Sequence, residues 1–239
     1  MPFGGERIGS FVSTKELAAW TEYHALWVGL FVLAFLSGLP HVVAVLPAAI
    51  SFFGLVLRFR KRWTPCSRFG VANAITLFRL CGILILFCIT GPWAVWVGEA
   101  AIVLFMLDAL DGWAARRWGL VSEFGEYFDK EVDAFFLLVL CVLLYSDQRL
   151  GAWVLVPGLL RYFFVGYLKL TRPPRIKEQR TARGRQVYFL VMVSMISAFM
   201  ANENFYRPLV AVASLLLCLS FADAVRCVQR GTDIEQESE

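Results

Sequence analysis

Residues 105–136 read FMLDALDGWAARRWGLVSEFGEYFDKEVDAFF and hold 7 of the chain's 19 acidic residues, all of them between Asp108 and Asp133. Apolar runs flank the stretch on both sides, so the acids fall where two apolar helices meet. Asp108 and Asp111 are three residues apart and Asp129 and Asp133 four, which puts each pair on one helical face. Two antiparallel helices joined by a short turn bring the faces together. An uncompensated Asp near a membrane interior costs ~2.5 to 3.5 kcal/mol on insertion scales, and four converging carboxylates also repel one another. The cluster therefore predicts bound cations.

The rest of the chain supplies the membrane. Of 239 residues 59% are hydrophobic and only 18% charged, and the mean hydropathy is +0.63. Globular domains are nearer ~45 to 50% apolar and ~25% charged. Neither an intrinsically disordered chain nor an ordinary water-soluble enzyme fits, because so much apolar surface has no place to hide in 27.0 kDa. Eight stretches approach the ~20 residues needed to cross ~30 Å of hydrocarbon: 22–38, 41–58, 72–90, 93–112, 127–146, 151–169, 186–202 and 207–226. Pro40, Pro92 and Pro208 fall at or near their boundaries. Gly38, Leu39 and Pro40 leave a tight turn between the first two, which either span separately or form a re-entrant hairpin.

The basic residues orient this arrangement. Of 23 Lys and Arg, only Arg149 and Arg207 fall in the outer loops and Arg79, Lys130 and Arg161 within spans. All the others lie on the side of the amino terminus. The positive-inside rule then predicts a multi-pass cell-membrane (inner-membrane) protein with both termini and the carboxylates cytoplasmic. The net charge of +4 is explained by topology and by contact with anionic membrane lipids, and no nucleic-acid partner is expected. Six cysteines form no C-x-x-C pair, and the isolated His24 and His41 read as interfacial or packed, so neither a zinc site nor a disulfide framework is expected. Residues 1–14 have no apolar core of a cleavable signal, and the tail 231–239 is acidic and expected to be disordered.

Hard oxygen ligands favour Mg²⁺, Mn²⁺ or Ca²⁺ over zinc, and four carboxylates balance two such ions in formal charge. A pair of divalent ions ~3.5 to 4 Å apart is a known clamp for displacement at phosphorus. The neighbouring residues agree with that chemistry. Gly112 and Gly125 permit a close approach, Ala115 keeps its face shallow, and Arg116 offers a fork of donors to phosphate. A loop whose acids merely pair with Arg116, Arg117 and Lys130 is the plainer alternative, but it explains neither the two same-face pairs nor the glycines.

The order Asp108-x2-Asp111-Gly112-x2-Ala115-Arg116-x8-Gly125-x3-Asp129-x3-Asp133 resembles, without a gap, the signature of the CDP-alcohol phosphotransferase (CDP-alcohol phosphatidyltransferase) family. Upstream, Asn73, Thr76 and Arg79 are similar to the N-x2-T-x2-R stretch of that family's first core helix. The resemblance implies an all-α membrane bundle with a six-span core over residues 72–230, preceded at 1–71 by two extra apolar segments and a basic linker. It also implies transfer of a substituted phosphoryl group from a CDP-linked donor to an alcohol, with release of CMP, and a homodimer. By the same resemblance Asp108, Asp111 and Asp129 are metal ligands, and Asp133 is both ligand and general base. Gly112, Ala115, Arg116, Ser122, Gly125, Asn73 and Thr76 fall at the CDP pocket, although Ser122 reads equally as a helix N-cap.

The expected donor is CDP-diacylglycerol or an analogue, used with a small polar alcohol. The alternatives are a soluble CDP-alcohol donor with a lipid acceptor such as diacylglycerol, or a cation-coupled transporter. In the loop 169–185, Lys177, Arg180 and Arg183 are candidates to hold an acceptor phosphate, with topology and lipid contact as the plainer reading. Arg161, inside a span, requires a partner or a cavity. Together with Arg79 it completes the candidate acceptor contacts.

Overall fold

The computed structural model describes residues 5–64, 69–89, 94–118, 122–171 and 182–236. Among these there is no strand, and the fold class is the expected all-α, polytopic helical membrane bundle. The helices are α1 (Gly5–Leu36), α2 (His41–Ala44), α3 (Leu46–Arg58), α4 (Val71–Cys88), α5 (Ala94–Trp118), α6 (Glu123–Ser146), α7 (Leu155–Thr171), α8 (Ala182–Met200) and α9 (Glu203–Gln236).

Two early boundaries differ from the hydropathy reading. Helix α1 begins at Gly5, well before the apolar run at 22, because hydropathy registers only the part of a helix that lipid would solvate. The segment 41–58 is broken at Val45, where Pro47 lies in the first turn of α3 and has no N–H to continue the helix from α2. Between α1 and α2, Gly38 adopts a φ of +77°. Its N–H donates to Phe35 O at 2.9 Å, and that of Leu39 to Ala34 O at 3.2 Å, the paired bonds of a glycine-terminated helix. At the other end of the chain α9 starts at Glu203 and continues to Gln236, into the acidic tail.

Among the described residues, five segments are long and apolar enough to cross a membrane: Glu16–Leu36, His41–Arg58, Val71–Cys88, Ala152–Thr171 and Glu203–Arg226. Of the eight expected from sequence, α5, α6 and α8 are not in this set. Both α5 and α6 are interrupted by charge, Glu99, Asp108 and Asp111 in one and Asp129, Lys130, Glu131 and Asp133 in the other. Charged residues at such depth are costly unless they serve a site.

The chain divides into two compact units, one of Met1–Ile89 with Val103–Ala134 and the other of Thr90–Ile102 with Phe135–Glu239. In the first, α1 packs along α3. His24 is fully buried, with Nδ1 2.9 Å from Ser51 Oγ, its ring stacked on Trp20 at 4.6 Å and set edge-on to Phe52 at 4.3 Å. On α1, Val28 and Phe31 are buried, whereas Leu26, Leu30 and Leu33 are exposed at helical spacing, which is the stripe a lipid-facing helix presents. In the second unit, every residue of α6 from Phe135 to Leu144 is buried. There α7 comes close at Gly158, where a Cβ would lie 2.9 Å from Leu138 Cα.

Candidate active site: three carboxylates around a buried arginine

The site lies in the first unit and is assembled by α4, α5 and α6. Helix α4 starts at Gly70, whose φ of +75° and ψ of +151° are open essentially to glycine alone. From this start Asn73, Thr76 and Arg79 follow at intervals of three, one face of the helix, and all three are buried. Thr76 Oγ1 donates to Ala72 O one turn back at 3.1 Å, and Asn73 Nδ2 donates to Trp63 O and Phe69 O at 3.2 and 2.6 Å.

Helix α6 begins at the same junction. Ser122 precedes its first residue and accepts the Gly125 N–H on Oγ at 3.0 Å, so it is the N-cap that satisfies a first-turn amide. The same hydroxyl donates to Trp63 O at 2.7 Å. Main-chain oxygen of Trp63 thus receives hydrogen bonds from both Asn73 and Ser122. A Cβ at Gly125 would meet Asn73 Oδ1 at 2.7 Å and Ser122 Oγ at 3.1 Å, so the motif glycine here lets α6 approach α4.

One turn further along α6 is Asp129, then Asp133, and from α5 comes Asp108. These three residues each offer a carboxylate oxygen, all within 4.8 Å of one another. Arg79 binds all three. Its Nη1 lies 2.9 Å from Asp108 Oδ1 and 3.3 Å from Asp129 Oδ1, and its Nη2 lies 2.8 Å from Asp133 Oδ1. The arginine side chain is 0% exposed, while the three carboxylates keep 29, 23 and 17%. Arginine therefore closes the buried side of the cluster, and the acids remain reachable from the other. Glu131, between Asp129 and Asp133 in sequence, is fully buried and is not among the three. Lys130 pairs with Glu126 at 3.0 Å, one turn away.

The remaining site residues read from sequence divide as follows. Asp111, Gly112, Ala115 and Arg116 continue α5, and their side chains lie outside the described residues, as do Lys177 and Arg180 altogether. Arg183 is exposed in the first turn of α8, and Arg161 is half-buried in α7. Arg79, read among the acceptor contacts, engages the carboxylates. Trp63 and Gly70 carry the scaffold of the site and were not singled out by sequence. Only the Gly-to-helix transition at 70 offered a local signal.

Three hard oxygen donors converging from two helices suit a divalent cation, since nothing softer than carboxylate is in the set. A polytopic helical membrane protein with a motif-spaced carboxylate cluster is a narrow class. A family model described as CDP-alcohol phosphatidyltransferase matches residues 69–222, which contain every carboxylate of the cluster, and the chain belongs to that family. It is also similar to a CDP-diacylglycerol--glycerol-3-phosphate 3-phosphatidyltransferase of Cereibacter sphaeroides, 29% identical over 102 residues, covering 39% of this chain and 45% of the relative. The chain thus spans less than half of that protein's length.

Proposed function

We propose that the chain is a membrane phospholipid-synthesis enzyme that transfers a substituted phosphoryl group from CDP-diacylglycerol, or an analogue, to a small polar alcohol with release of CMP. One observation carries the reading: Asp108, Asp129 and Asp133 bring carboxylate oxygens within 4.8 Å of one another at the spacing of the family signature. Family membership supports the reaction class, and the name of the bacterial relative supports a phosphorylated acceptor such as glycerol 3-phosphate.

Asp108, Asp111, Asp129 and Asp133 would hold two divalent ions, Mg²⁺ or Mn²⁺. Bound there, the ions supply positive charge to the donor's pyrophosphate and to the departing CMP. The protein's own work is positioning and proton transfer. Asp133 takes the acceptor hydroxyl's proton on a carboxylate oxygen. The acceptor oxygen forms its bond to the phosphorus that carries the diacylglycerol group, and the bond from that phosphorus to the CMP oxygen breaks. Gly112, Ala115, Arg116, Ser122, Gly125, Asn73 and Thr76 border the CDP pocket; Lys177, Arg180, Arg183 and Arg161 hold the acceptor's anion. The basic residues on the side of the amino terminus support a cytoplasmic site in the cell membrane, and the family resemblance supports a homodimer.

Detergent-solubilised protein given Mg²⁺ or Mn²⁺, radiolabelled CDP-diacylglycerol and a panel of alcohols headed by glycerol 3-phosphate tests this. CMP release that depends on one acceptor is the expected result. Release only from a soluble CDP-alcohol with diacylglycerol reverses the roles of donor and acceptor. No CMP from any donor at any metal concentration rejects the enzyme, and metal-dependent uptake into proteoliposomes would then identify a transporter.

A further inference from the structure

We propose that Arg79 is a resident counter-cation, which holds the three carboxylates together while no divalent ion is bound and competes for the same carboxylates when one arrives. The inference rests on the metal reading above and extends it to a residue outside the Asp motif.

Three acids within 4.8 Å cannot remain ionised side by side in a poorly hydrated place without compensation. Among the described residues of the first unit, the Arg79 guanidinium contacts all three. It uses Nη1 for Asp108 and Asp129, and Nη2 for Asp133, and so ties α5 and α6 to α4 through one planar fork. Because it is wholly buried while the acids keep 17 to 29% exposure, it neutralises the cluster from beneath without covering the open side.

This placement has a cost for metal binding. Affinity for a hard divalent ion rises with the net negative charge of its ligands, and a fixed guanidinium removes one unit from the set. An incoming ion must also bind carboxylates whose Oδ1 atoms are already engaged by Arg79. The arginine therefore favours a folded, metal-free protein and weakens its grip on the ion. Such an ion exchanges readily.

The test compares wild type, Arg79→Gln and Arg79→Lys, each stripped with EDTA in detergent and then titrated with Mg²⁺ or Mn²⁺, reading the melting temperature and direct binding by calorimetry. Stripped Arg79→Gln is expected to melt several degrees below wild type, since breaking a buried ion pair leaves its partners uncompensated. Its metal affinity is expected to rise about ten-fold or more, with a larger metal-induced gain in Tm. Arg79→Lys, with the charge but not the fork, falls between the two. If stripped Arg79→Gln cannot be purified, recovery of a folded protein by Mn²⁺ supports the proposal. Failure to fold even at saturating Mn²⁺ overturns it.

An unchanged Tm in stripped Arg79→Gln also overturns the proposal, as does weaker metal binding in that variant. Wild type that binds no Mg²⁺ or Mn²⁺ would instead reject the metal reading, whatever the stripped variants do.

Discussion

Asn73 and Gly125 meet so closely that a single added carbon would bring them into collision: a Cβ on Gly125 falls 2.7 Å from Asn73 Oδ1. Asn73 cannot retreat, because its amide is fixed to Trp63 O and Phe69 O. Gly125→Ala should therefore overpack the α4–α6 contact at a cost of about 1 to 3 kcal/mol, with a matching fall in Tm. It should also loosen metal binding, since Asp129 lies one turn on. Adding Asn73→Ala should restore part of the stability, and a double-mutant cycle measures the recovery. Strictly additive variants would mean that the close approach is not what makes glycine necessary.

The motif acids should separate by role. Asp108→Asn, Asp111→Asn and Asp129→Asn each remove ligand charge, and are expected to weaken metal binding and donor binding together. Asp133→Asn is expected chiefly to lower kcat while donor binding stays measurable. Calorimetry with Mn²⁺ and single-turnover CMP release read the two effects independently. Equal loss of donor affinity in all four variants would remove the case for Asp133 as base.

For a phosphorylated acceptor, the loop 169–185 must help to neutralise ~1.5 to 2 negative charges. Charge-assisted contacts contribute ~1.5 to 3 kcal/mol each, so Lys177→Ala or Arg180→Ala should raise the acceptor KM roughly ten-fold or more and leave the donor's nearly unchanged. An unchanged acceptor KM in both would assign this loop to topology and lipid contact.

The His24–Ser51 contact should matter to folding and not to turnover. Ser51→Ala deprives the buried imidazole of its 2.9 Å partner, a loss of about 1 to 3 kcal/mol visible as a lower Tm. CMP release at saturating substrates should match wild type. A large fall in kcat without a change in Tm would give the first helices a direct part in the reaction.

What sequence revealed and what it hid follow from the range of the interactions. Asp129 and Asp133, which converge with Asp108, were legible because helical periodicity is local: an interval of four puts two acids on one face wherever the helix goes. The matching expectation for Asp111 lies outside the described side chains. The partner of Arg79 was not legible. A cation in an apolar run demands compensation, but its oxygens on Asp129 and Asp133 are 50 and 54 residues away, and only packing selects them. Helix α1 was shortened for the opposite reason, since Gly5 to Thr21 is helical without being uniformly apolar. Val45 was hidden because Pro47 ends α2 inside a run whose hydropathy never falls.

The main-chain oxygen of Trp63 bears on where the chain could be cut ahead of the family match that begins at residue 69. Since that one atom receives both the cap serine of α6 and the amide of Asn73, a truncation that begins after Trp63 would take the acceptor from the Ser122 hydroxyl and leave the Asn73 amide with Phe69 O alone. A break before Trp63 would leave both satisfied. The hydrogen bonding of the matched region therefore reaches back to this tryptophan, upstream of residue 69 where the family match begins.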